Sequence, residues 1–122
     1  MVILDANMIL RYLLNDNQQM ANEAESYLNT RDVFVTIEVT AEVVYVLRNI
    51  YSMDRAVIAE TLVGFLELVR CRDMDVLRLA LETFGENNLD FVDCVLYGYY
   101  VEKDTQIATF DKKLLKMIDE SR

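Results

Sequence analysis

The chain has 122 residues, 53% of them hydrophobic, enough for one domain with a sizeable core and too apolar for disorder. Its 21 acids and 12 bases give a formal charge of −9, which argues against a broad basic footprint for gripping nucleic acid. The absence of histidine excludes Ser-His and Cys-His nucleophiles and the commonest zinc ligand, leaving carboxylates, hydroxyls, lysines or a bound metal to carry any chemistry.

The chain opens with Val2-Ile3-Leu4, a short apolar, β-prone run that stops at Asp5. A helical pattern follows at once, with Met8, Ile9, Tyr12 and Leu13 on one face. A fully apolar first strand belongs inside a sheet covered on both sides, and Asp5 then stands at its carboxyl end, where open α/β sheets bind ligands. Asp5 is equally well placed as a helix N-cap. Asn15-Asp16-Asn17 reads as a turn, Gln18 to Leu28 as a polar amphipathic helix, and Val33-Phe34-Val35 as a second buried strand. A long helix is predicted from Thr36 to about Tyr51, and another from Ser52 and Asp54 through Val69. Met74-Asp75-Val76 is expected to be a third strand, and Leu77 to Phe84 a helix stopped by Gly85. Phe91 to Val101 reads as a very apolar helix, Ile107-Ala108-Thr109 as a fourth strand, and Lys112 to Ile118 as a closing helix.

Short apolar strands alternating with helices imply a parallel sheet with helices on both faces, and right-handed crossovers bring every strand's carboxyl end to one edge. With no proline and only Gly64, Gly85 and Gly98, the chain shows no linker, repeat or low-complexity segment, so residues 1–122 are expected to form a single domain. No apolar run approaches the roughly 20 residues of a membrane helix, and no signal peptide is evident. Cys71 and Cys94 match no metal-ligand spacing and read as reduced, buried residues of a cytoplasmic protein.

Asp5, Asp93 and Asp111 occupy comparable places at that edge, and either Glu38 or Glu42 supplies a fourth acid from the helix after the second strand. Each has a plainer role as a cap, a dipole partner or a solvated side chain. Several carboxylates at one edge repel one another unless a hard cation sits among them. Mg²⁺ or Mn²⁺ held by a few carboxylates suits phosphodiester hydrolysis.

Four blocks together carry a family resemblance: LDANMILRYLL, VTIEVTAEVVYVLR, LDFVDCVLYGYY and IATFDKKL. In this order and spacing the chain resembles PIN domains, in particular the VapC-type toxins of toxin–antitoxin pairs. The resemblance implies a three-layer α/β/α fold around a short parallel sheet of four strands, or five if the end of the chain adds one. It implies a divalent-metal ribonuclease using Mg²⁺ or Mn²⁺, a protein antitoxin and a homodimer. It selects Glu42 over Glu38, making Asp5, Glu42, Asp93 and Asp111 the catalytic and metal-binding quartet. It also places Asn7, Thr36, Asp90 and Thr109 around that quartet. The chain departs from the family after Leu114, where a fifth strand is expected to be short or missing. Arg11, Arg48, Lys112 and Lys113 lie near these blocks as candidate phosphate contacts. Tyr97, Tyr99 and Tyr100 read as core or subunit contact. A haloacid-dehalogenase-like phosphatase would want a second Asp where Asn7 stands, and a receiver domain an acidic pair that is absent. The rival from another class is a catalytically silent PIN-like module that binds RNA or a protein.

Overall fold

A computed structural model describes residues 1–122. Two two-residue strands and seven α-helices follow one another as β1 (Val2–Ile3), α1 (Ala6–Leu14), α2 (Gln18–Thr30), β2 (Val33–Phe34), α3 (Ile37–Asn49), α4 (Arg55–Phe65), α5 (Met74–Glu86), α6 (Phe91–Lys103) and α7 (Lys112–Glu120). A 3₁₀ turn, Leu66–Leu68, continues α4. The molecule is mostly helical around a small parallel sheet, and no helix is long and apolar enough to cross a membrane.

The sheet is smaller than the four or five strands expected. β1 pairs with β2 in parallel register, Val2 opposite Val33 and Ile3 opposite Phe34, and a single parallel bridge joins Phe34 to Arg70. The third extended position is therefore Arg70. Met74-Asp75-Val76 instead opens α5, because Val76, Leu77, Ala80, Leu81 and Phe84 continue one buried helical face from there. Ile107-Ala108-Thr109 forms no ladder. Its three residues lie between polar Asp104-Thr105-Gln106 and Asp111, and Thr105 turns its N–H back onto the Tyr99 carbonyl at 3.3 Å. No fifth strand follows α7.

The helices follow their predicted spans with small differences at the ends. Gly85 does not stop α5, which runs on to Glu86. Glycine is there for closeness: a Cβ on Gly85 would come within 2.6 Å of the Ala59 Cβ on α4. On α1 the innermost side chains are Ala6, Ile9 and Leu10, one step round from the predicted stripe.

α1 packs on α2 and α3, while α4, α5, α6 and α7 pack in succession, and α3 joins the groups through α4 and α6. One core of 25 buried residues runs through them, from Leu4 and Ile9 through Leu47, Leu62 and Leu77 to Leu114. Both cysteines are free. Cys94 is buried, which pushes its thiol up to about 12, whereas Cys71 is only half-buried, contrary to expectation.

Candidate active site

The two strands end side by side. Leu4 N–H donates to the Phe34 carbonyl at 3.2 Å, and two residues past the paired Ile3 and Phe34 stand Asp5 and Thr36. Each turns directly into a helix and caps it. An Asp5 Oδ1 accepts from Met8 N–H at 2.9 Å to open α1, and Thr36 Oγ1 accepts from Val39 N–H at 3.1 Å to open α3. Asp111 repeats the device at α7, accepting from Leu114 N–H at 2.9 Å, with its own N–H held by Thr109 Oγ1 at 3.0 Å. Asp5 and Asp111 thus fill the plain structural role open to them, and each keeps a second carboxylate oxygen outside the cap bond.

Asp90 and Asp93 differ. Asp90 occupies the N-cap position of α6 but makes no side-chain cap bond, and Asp93 lies half-buried in the first turn. Asp90, Asp93, Asp111, Lys112 and Lys113 line one hollow of about 340 Å³. The Asp93 carboxyl is raised above the usual carboxylate range, first by burial, then by repulsion from Asp111 and Asp90. A larger hollow of about 480 Å³ adjoins it, sharing Asp90 and Asp93 and lined also by Tyr45, Arg48, Asn49 and Arg55.

The structure therefore gathers Asp90, Asp93 and Asp111 with Lys112 and Lys113, and sets Arg48 in the adjoining hollow. Asp5 and Glu42 line neither hollow. Glu42 is exposed in the second turn of α3, one turn before Tyr45. Glu38 and Thr36 line a third hollow beside Cys71, Asp73 and Tyr99. Asn7 is exposed on α1. Arg11 lines none of these hollows, and its Nη1 donates to both carboxylate oxygens of Asp16 at 2.7 Å. Tyr99 is half-buried and donates to Asp73 at 3.0 Å.

Sequence reading missed Arg55. Its Nη1 reaches three carbonyls, Phe84 at 3.3 Å, Asn87 at 2.7 Å and Leu89 at 2.9 Å, and its guanidinium lies 4.2 Å from the centre of the Phe84 ring. Lys113 holds the same link from α7 by donating to the Asn88 carbonyl at 3.1 Å. Two cations thus fix the α5–α6 link that ends at Asp90.

The PIN domain family model matches residues 2–120. The chain belongs to the PIN domain family. No curated protein and no solved structure gives a significant match. PIN domains are generally nucleases, usually with divalent metals. The donors fit such a cation: carboxylates predominate at the candidate site and the chain has no histidine to compete. No three His, Cys, Asp or Glu side chains stand close enough together to enclose an ion. A cation in this PIN domain would accordingly rest on one or two carboxylates and keep much of its water, as Mg²⁺ does.

Proposed function

We propose that this PIN domain, spanning 1–122, is an Mg²⁺- or Mn²⁺-dependent endoribonuclease of the VapC type. In this reading it is the toxin of a type II toxin–antitoxin pair, a cytoplasmic homodimer held in check by a protein antitoxin. The observation that carries the nuclease reading is Asp93: half-buried in a hollow with Asp90 and Asp111, and raised by both, it sits where a cation would relieve the repulsion. The family resemblance assigns Asp5, Glu42, Asp93 and Asp111 as the catalytic and metal-site acids, with Asn7, Thr36, Asp90 and Thr109 around them; of the four, Asp93 and Asp111 share the hollow and are the pair on which a cation would rest. A bound divalent cation supplies Lewis acidity at the phosphodiester. Lys112 and Lys113 orient the phosphate beside Asp111, and Arg48 receives the flanking backbone. The Asp5 and Asp111 caps hold those carboxylates at fixed angles to their helices, so orientation is set before substrate arrives.

The test is cleavage of end-labelled single-stranded RNA in Mn²⁺, Mg²⁺ or EDTA. Cleavage should need metal and disappear in Asp5→Asn, which keeps size and cap but loses the charge. Cleavage persisting in EDTA or in Asp5→Asn would refute the assignment. The toxin reading expects growth arrest on expression, relief by Asp5→Asn, and a small protein partner co-purifying from the native host; growth unaffected by the active chain would refute it.

A silent binding module is favoured by one observation, the lack of three acids placed to enclose an ion. That reading expects no rise in melting temperature with Mg²⁺, whereas a metal-binding native state is stabilised by mass action.

A further inference from the structure

The net charge of −9 conceals an uneven distribution of cations. Six of the 12 basic residues are tied up in ion pairs, Arg11 with Asp16 and Lys103 with Asp75 among them. Of the six outside such pairs, Arg48, Arg55, Lys112 and Lys113 line the two hollows that share Asp90 and Asp93. The positive charge not cancelled by a partner is thus concentrated where the acids meet. Arg55 commits its Nη1 to carbonyls and Arg48 commits one Nη to the Met53 carbonyl at 3.1 Å, so both are fixed in place.

The larger hollow is lined by Arg48 and Arg55 and also by an exposed aromatic ring, Tyr45. Tyr45 is 63% exposed on α3, and Val92 on α6 is 61% exposed. The aromatic pairs of the protein join Tyr12 to Phe65 and Phe84 to Phe91, and its cation–aromatic contacts involve Tyr27, Phe84 and Phe34, so the Tyr45 ring has no such partner. An exposed, unpartnered ring that lines a hollow of about 480 Å³ together with an arginine offers the two features a single strand uses: a face for one base and a charge for its phosphate.

We propose that the larger hollow is a nucleotide subsite for single-stranded RNA, in which one unpaired base stacks on Tyr45 while Arg48 meets the adjoining phosphate. The strand then runs past Asp90 and Asp93 to Lys112 and Lys113. A duplex keeps its bases stacked within the helix and cannot present one to Tyr45. The subsite rests on the nuclease reading of the neighbouring acids, so binding and cleavage are measured separately.

The experiment is fluorescence anisotropy in EDTA with a labelled mixed-sequence RNA, as a single strand, as a duplex, and as a single strand carrying abasic positions. It uses the whole chain and its Tyr45→Ala, Tyr45→Phe and Tyr45→Trp variants, all at an exposed site. The parent should prefer the single strand, and Tyr45→Ala should weaken that binding about tenfold, from a stacking contribution of 1–3 kcal/mol per base. Tyr45→Phe and Tyr45→Trp should bind like the parent. Abasic RNA should lose a similar factor on the parent and little more on Tyr45→Ala. Equal binding by parent and Tyr45→Ala, equal binding of duplex, or no RNA binding would each overturn the subsite. So would a Tyr45→Ala chain that sediments as a smaller species yet binds RNA like the parent, which would give this face to a second copy. A parent that binds single strands through Tyr45 but cleaves none in Mn²⁺ refutes the nuclease reading and leaves the subsite standing. One that cleaves, with affinity and KM unchanged in Tyr45→Ala, loses only the subsite.

Discussion

Replacing Arg55 by Met keeps most of the aliphatic stem and removes the group that gathers the Phe84, Asn87 and Leu89 carbonyls. The bonds to Asn87 at 2.7 Å and Leu89 at 2.9 Å are short enough to count fully, whereas that to Phe84, at 3.3 Å, adds little. Hydrogen bonds to a charged donor contribute about 1.5–3 kcal/mol each, and the half-buried guanidinium over the buried Phe84 ring adds about 1 kcal/mol. Water reaching the freed carbonyls offsets some of this, because Arg55 and Asn87 are only half-buried. The expected net loss is about 3 kcal/mol, which for a chain of this size lowers the melting temperature by roughly 10 °C. Arg55→Lys should fall between, keeping a charge that can reach a carbonyl but losing the flat face over Phe84. Urea unfolding measures the loss, and hydrogen exchange of the amides from Asn87 to Val95 locates it. A loss below about 1 kcal/mol, or exchange unchanged in that stretch, would show that Arg55 does not hold the link that carries Asp90.

Asp93→Asn tests the cost of ionising a half-buried carboxyl that also faces Asp111 and Asp90. Because the folded carboxyl of Asp93 is raised above its ordinary 3.8, ionising it costs stability as pH rises through and beyond that value. Without divalent metal the variant should melt at or above the parent at pH 7, with the difference vanishing in acid below the unfolded value; a lower melting temperature at pH 7 would refute the cost of ionising Asp93. Asp111→Ala should cost about 1 kcal/mol by freeing the Leu114 N–H, and Asp111→Asn much less, as read by thermal melts; equal losses would deny the cap. Gly98→Ala should destabilise by roughly 1–2 kcal/mol, since its Cβ would come within 2.9 Å of the Val76 carbonyl oxygen on α5. Gly64→Ala, with nothing within 4 Å, should instead stabilise by about 0.5–1 kcal/mol in the same assay.

The helices were legible because their signals are local. Asp5 and Asn17 announce the starts of α1 and α2, and period-3.6 burial carries each helix to within a few residues of its end. The sheet was not. Apolar triplets such as Ile107-Ala108-Thr109 carry no signal for whether a neighbouring backbone will offer hydrogen bonds, and Met74-Asp75-Val76 was too short to tell a strand from a helix start. Gly85 was misjudged for a related reason: its meaning depends on Ala59, a residue of another helix. Of the site, Asp90, Asp93 and Asp111 were visible as acids before or within helix starts. Glu42 was separable from Glu38 only by family resemblance. Arg55 gave no local sign, because its partners lie 29 to 34 positions along the chain.

The caps at Asp5 and Asp111 have an evolutionary consequence. If these acids carry the proposed chemistry, a descendant that lost it would still be selected to keep a capping side chain, Asp or Asn, at both positions, because α1 and α7 start on them. Asp93 is not the N-cap of its helix, and burial together with repulsion from Asp111 and Asp90 makes its ionised form costly to the fold. Under the proposed nuclease reading, release from catalysis would therefore let Asp93 drift to a neutral residue early, while the positions of Asp5 and Asp111 kept their caps. On that reading, in PIN domains built this way an aspartate at the position of Asp93 would be the more telling mark of a working enzyme, and the capping pair the less informative one.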